Sequence, residues 1–286
     1  MAATHADEGS DPIRAARAAL RVERRRTVDE REALRAFRGR VSSVPTEDGN
    51  ATAAGPAAMD PTRGAGGAIG GAAGGPDGGA GGAASPGSSL VAVRDAYRAT
   101  VMSVPHYEAE YDDTYERSVA AEFGPEIAYA LTRTDSFHEA YKRSLLSAVE
   151  TAVQEREAFL DALESEVESV ERAGSRLDPV RSEVAAIDDE LGDGDAAAAA
   201  AGFGALDACR TRTEALVEDC DRIAARRQRV LADHERRLAI GDDIDFAAYC
   251  YQDLDASYPV LAAVGTVGDR LERLRDRIER AMARTR

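Results

Sequence analysis

The chain has 286 residues, 52 of them acidic and 36 basic, for a net charge of −16, and it contains no tryptophan. That length allows one sizeable domain with tails, and no run of about 18 apolar residues is present to span a membrane. Cys209, Cys220 and Cys250 make an odd count with no CxxC, so neither a disulfide framework nor a zinc site is indicated.

The basic residues are almost all arginine, with Lys142 the single lysine. An acidic surface nearly free of lysine suits a chain that stays soluble in concentrated salt, because carboxylates favour solubility more than ammonium groups do. The composition therefore reads as that of an extreme halophile. Arg24, Arg25 and Arg26 resemble a twin-arginine signal, but the residues after them, 27 to 35, are charged rather than apolar. The expectation is a cytoplasmic protein.

In chain order, Asp11-Pro12 is a helix start, with an acceptor at the cap and proline in the first turn. Ile13, Leu20, Thr27, Leu34 and Val41 recur every seven residues, with Phe37 and Val44 on the same stripe, and the helix should end near Pro45. Residues 1–44 thus form an Arg-rich N-terminal helix. Residues 45–88 hold 14 of the 25 glycines. Such a stretch buries too little apolar area to offset its chain entropy and is expected to be a disordered tether. Its GxGxxG matches follow no strand and precede no helix, which argues against a nucleotide loop.

Residues 89–286 form the helical body. Leu90, Val93, Tyr97 and Val101 mark a helix stopped by Pro105. A second helix is expected over 108–123 and a short third over 126–132. Two long seams follow at three-four spacing. The first is Leu146, Val149, Val153, Leu160, Leu163, Val167, Val170 and Leu177. The second is Leu206, Cys209, Thr213, Leu216, Cys220, Ile223, Val230 and His234. Each stripe needs a partner along its length. The pattern predicts an all-α fold with a long antiparallel helical hairpin, or coiled coil, over 136–191 and 203–240. Asp178-Pro179 should kink or restart the first arm. A short helix over 246–254 and a last one after Pro259 complete the chain.

Six of nine tyrosines lie between Tyr97 and Tyr141, and the rest between Tyr249 and Tyr258. Large aromatics anchor compact cores, so a small aromatic helical head is expected from 90–141 and 246–262. Residues 14–40 hold ten arginines against four acids, whereas residues 137–201 hold sixteen acids against six bases. The simplest consequence is that the basic end helices pack on the acidic hairpin.

Chemistry-bearing residues are few. His106, Tyr107, Glu108 and Tyr111 cluster after Pro105, where they could bind a ligand or serve as ends of a helix-helix turn. His138-Glu139 opens like HExxH, but Lys142 replaces the second histidine, so the zinc geometry is lost. Cys209 and Cys220 share a stripe and read as small buried hydrophobes. The acidic loops at 188–195 and 242–245 miss the EF-hand spacing. The Arg-rich helix lacks interleaved aromatics, and phosphate binding weakens steeply at molar salt, which disfavours nucleic acid.

The strings VRDAYRATVMSVPHYEAEY and AAEFGPEI, the spacing of Leu216 to Cys220, and YCYQDLDASYPVL resemble an uncharacterised haloarchaeal family classed as a domain of unknown function with a VMSVPHY-type signature. The segment RAALRVERRRTVDEREALRAF looks like that family's N-terminal helix. The resemblance covers most of the chain apart from the glycine-rich stretch. It implies a halophilic, helical, cytoplasmic protein and carries no activity, cofactor or catalytic residue. The expected function is a non-enzymatic scaffold binding a protein partner or itself through the seams. The alternatives are a nucleic-acid-associated regulator using the basic first helix, and a small-ligand sensor centred on the aromatic head.

Overall fold

The computed structural model describes residues 11–46, 87–238 and 245–285. Residues 47–86 of the stretch 45–88 expected to be a tether, and the loop acids Asp242 and Asp243, lie outside the described residues. Among those described, the fold is all-α, as the seams require, with no strand. The helices are α1 (Pro12–Ser43), α2 (Ser88–Arg98), α3 (Tyr107–Glu110), α4 (Tyr115–Phe123), α5 (Pro125–Arg133), α6 (Glu139–Leu191), α7 (Gly194–Ala200), α8 (Phe203–Leu238), α9 (Phe246–Cys250) and α10 (Pro259–Arg284). Two compact units share them: one runs to Val28 and resumes at Glu157, and the other is Asp29–Arg156.

The start of α1 is as its sequence dictates. Asp11 Oδ1 accepts from the Ile13 amide at 3.3 Å, satisfying one of the orphan donors of the first turn. The whole seven-residue stripe is buried, from Ile13 through Leu20, Thr27 and Leu34 to Val41. Ile13 and Leu20 enter the core of the first unit, and Leu34, Phe37 and Val41 enter that of the second.

In the first unit the C-terminal part of α6 and helix α8 run antiparallel. Arg212 of α8 reaches both Glu183 and Glu190 at 2.7 Å, and further along Arg227 reaches Glu166. In the second seam Leu206, Cys209, Thr213, Leu216, Cys220, Ile223 and His234 are buried within the chain, and Val230 is half-buried. Helix α10 lies along α8 and α7 and buries Val264, Val267, Leu271, Leu274 and Ile278, one three-four stripe. Each such aliphatic contributes roughly 1.5–3 kcal/mol by leaving water. The expected break after Leu191 contains α7, because Ala198 is wholly buried in this core. Pro179 neither stops nor restarts α6. Leu177, Val180 and Val184 are buried on either side of it, and their packing outweighs the one backbone bond that proline removes.

In the second unit Phe37, Tyr97, Tyr115 and Phe123 form an aromatic cluster. The Phe37 ring is 5.2 Å from Tyr97 edge-on and 5.9 Å from Phe123 in a stacked pair. The expected helix over 108–123 is two helices, α3 and α4. Asp112 between them has φ of 40°, and Thr114 caps α4 by accepting from the Arg117 amide. Gly124 joins α4 to α5 with φ 90° and ψ 159°, a conformation that only glycine adopts without strain. Lys142 donates to the carbonyls of Ser42 and Val44 at 2.8 and 2.7 Å, closing the C-terminal end of α1.

The two aromatic stretches build different cores. Tyr97 to Tyr115 belong to the second unit, whereas Phe246 and Tyr249 meet the Phe159 ring in the first, at 5.5 and 5.7 Å. Ion pairs within each unit also run in both senses. Arg38 meets Glu150 and Arg277 meets Asp188, basic end helix on acidic arm, but Arg156 meets Glu30 and Arg181 meets Asp11 the other way round.

Candidate functional site

The proline at 105 ends the turn after α2 and places His106 at the start of α3. There the histidine meets a residue that the sequence did not single out. Glu30, on α1, falls between the buried Thr27 and Leu34 and is itself half-buried. His106 Nε2 lies 3.0 Å from Glu30 Oε1, and since a carboxylate only accepts, Nε2 carries the proton. The Tyr111 hydroxyl donates to the same oxygen at 3.0 Å. Arg156 Nε donates to Glu30 Oε2 at 3.2 Å, and its other end donates to Glu122 at 2.8 Å. One guanidinium thus bridges two carboxylates.

Glu30, Tyr111, Glu122 and Arg156 border a cavity of about 70 Å³, walled by Leu34, Tyr97, Val101 and Val104. Tyr107 also lines it. The ring is buried, and its hydroxyl has no hydrogen-bonding partner among the described residues; Glu122 Oε1 has none either. Burial raises the Glu122 pKa, with Arg156 opposing. Burial alone would lower the Arg156 pKa, but Glu122 and Glu30 outweigh it and the net shift is upward. Of the four sequence candidates, His106, Tyr107 and Tyr111 are therefore brought together around Glu30 and the cavity. Glu108 is exposed to solvent on α3.

A second polar centre lies in the first unit. Glu166, fully buried, accepts from Arg227 at 2.7 and 2.5 Å in a two-point pair. The Tyr251 hydroxyl also donates to it, and His234 Nδ1 lies 3.6 Å away. Arg227 also donates to Ser169 at 3.0 Å. Burial pulls the arginine's pKa down, but its bonds and charge attraction to Glu166 raise it overall. The arrangement ties α6, α8 and the turn after α9 together and leaves little reactive capacity.

The thiols of Cys209, Cys220 and Cys250 are buried, and burial raises the pKa of each, which opposes thiolate formation. His138 takes part in no HExxH-type pair, since Lys142 is engaged at the end of α1. Asp245 caps α9, accepting from the Ala247 and Ala248 amides. Among the described residues no cluster of three metal-ligating side chains occurs, and no helix is long and apolar enough to cross a membrane.

Fold and site together define an all-α protein whose inward-facing charges pair with one another. Residues 11–275 match the family described as Domain of unknown function (DUF7260), and the chain belongs to that family. No curated protein and no solved structure matches it.

Proposed function

We propose that the protein is a non-enzymatic helical scaffold of a salt-adapted cytoplasm that binds a protein partner. The observation that carries this reading is the Glu166–Arg227 pair. A buried two-point ion pair contributes little net stability but fixes which helical register is allowed, a property suited to holding a binding surface in place. The seam residues are occupied within the chain, so partner binding falls to outward faces. One such face is an open groove along α6 and α10 that presents Arg270, Arg273, Arg277 and Arg280 beside Asp188 and Asp276. Its excess of guanidinium groups suits an acidic helix or strand.

A nucleic-acid role gains less support. Arg31 and Arg35 of α1 bind the neighbouring Glu32, and Arg38 binds Glu150. The test is affinity capture of the tagged full chain from lysate in molar KCl, with and without nuclease. The expected result is a defined protein that survives nuclease and is lost in the Arg270→Glu, Arg273→Glu variant. Recovery of nucleic acid alone, or of proteins released by nuclease, would overturn the reading.

A further inference from the structure

We propose that the cavity beside α3 is a binding site for a small primary ammonium group, with Tyr107 and Glu122 as its direct ligands. The inference stands apart from the scaffold reading and survives its failure. Most lining groups are satisfied: Glu30 accepts from His106, Tyr111 and Arg156, and Tyr97 bonds Ser118 at 2.8 Å. Two buried polar atoms are not, the Tyr107 hydroxyl and Glu122 Oε1, and both belong to lining residues. Buried polar groups are ordinarily paired, because leaving one unpaired costs about 1–3 kcal/mol. The Glu122 carboxylate oxygen can only accept, and the Tyr107 oxygen can accept as well as donate, so one donor group can serve both.

Charge narrows the class further. Asp113 pairs with Arg117 at 3.8 Å, whereas Glu30 and Glu122 share the single guanidinium that lines the cavity, that of Arg156. A cation relieves that imbalance, and an anion worsens it. The volume admits several waters or a ligand of a few heavy atoms, since one water needs roughly 10–15 Å³ of such space. The walls of Leu34, Val101 and Val104 favour an ammonium carrying a short alkyl group over a bare ion, because they offer apolar contact and no further acceptor. An R–NH3⁺ head carries three donors, enough for Glu122 Oε1 and the Tyr107 oxygen together.

The test uses the full chain at fixed KCl, with methylammonium chloride as the probe. Tetramethylammonium chloride matches its charge but has no N–H. Calorimetric titration and thermal denaturation should show saturable binding of methylammonium that tetramethylammonium does not reproduce. Tyr107→Phe should weaken it about tenfold, the effect of one lost bond to a charged group. Glu122→Gln should weaken it further. Tyr107→Phe removes only an unpaired hydroxyl, so it folds and keeps the test decisive if Glu122→Gln does not. Absence of saturable methylammonium binding, equal binding of tetramethylammonium, or unchanged affinity in Tyr107→Phe would each overturn the proposal.

Discussion

Arg227 stands where the apolar seam of α8 skips a step, and it meets Glu166, which stands beside Val167 on the seam of α6. Ile223 and Val230 flank the arginine on α8, and Leu163 and Val170 flank the glutamate on α6, so each charge stands on a stripe otherwise given to core residues. Both side chains are essentially inaccessible, at 1% and 0%. Neither charge is tolerable there without the other. Arg227→Met alone should therefore destabilise the protein by about 3–5 kcal/mol, because Glu166 is left as an uncompensated buried charge. Arg227→Met with Glu166→Leu should recover most of that loss. Urea unfolding at constant KCl measures both, and a double variant as unstable as the single would refute the account.

Pro179 costs α6 a backbone bond to Ser175 without interrupting the helix. Pro179→Ala restores the donor at a solvent-exposed position. Stability should rise by about 1–3 kcal/mol, the scale on which interior proline disfavours a helix. A variant less stable than the parent would show that the proline relieves strain elsewhere in the helix.

Gly124 meets no atom within 4 Å of where a Cβ would stand, yet its φ of 90° excludes other residues on backbone grounds. Gly124→Ala should cost about 1–3 kcal/mol through conformation alone. Thermal denaturation reads the loss, and a neutral substitution would mean that the α4–α5 joint adopts another geometry.

Tyr115 is buried, and burial pushes its phenol up to about 12, against the opposing charges of Arg94 and Arg98. A pKa raised on folding means that the fold favours the protonated form. That contribution is complete below the ordinary value near 10 and is lost as pH climbs toward 12. Burial shifts Tyr97 and Tyr251 the same way. Stability should fall from pH 10 to 12, and Tyr115→Phe should fall less over that window. Parallel curves would contradict the assignment.

The long helices were legible because their apolar spacing is strict. Every residue of the Ile13 to Val41 stripe is buried, as its seven-residue recurrence demands. His106, Tyr107 and Tyr111 were also visible, as a local cluster next to a proline. Their partners were not. Glu30, Arg156, Glu166 and Arg227 resemble solvated charges in an acidic, arginine-rich chain. The available signal was positional: each sits on a three-four step of an apolar stripe, where a charge needs a counter-charge. Which carboxylate answers which arginine depends on how distant helices align, and spacing within one helix carries no such information. The division of α3 from α4 escaped for a related reason, since Asp112 and Thr114 act through local bonds that compete with helix continuation.

The Lys142 clasp on Ser42 and Val44 has a chemical consequence. It holds the only side-chain amine in the chain. Enzymes that modify lysine, and the side-chain reaction of acylating reagents and amine-directed crosslinkers, converge on this one nitrogen, and each must first detach it from two carbonyls. A single fluorophore placed there would report the opening of that helix end, free of background from any other lysine.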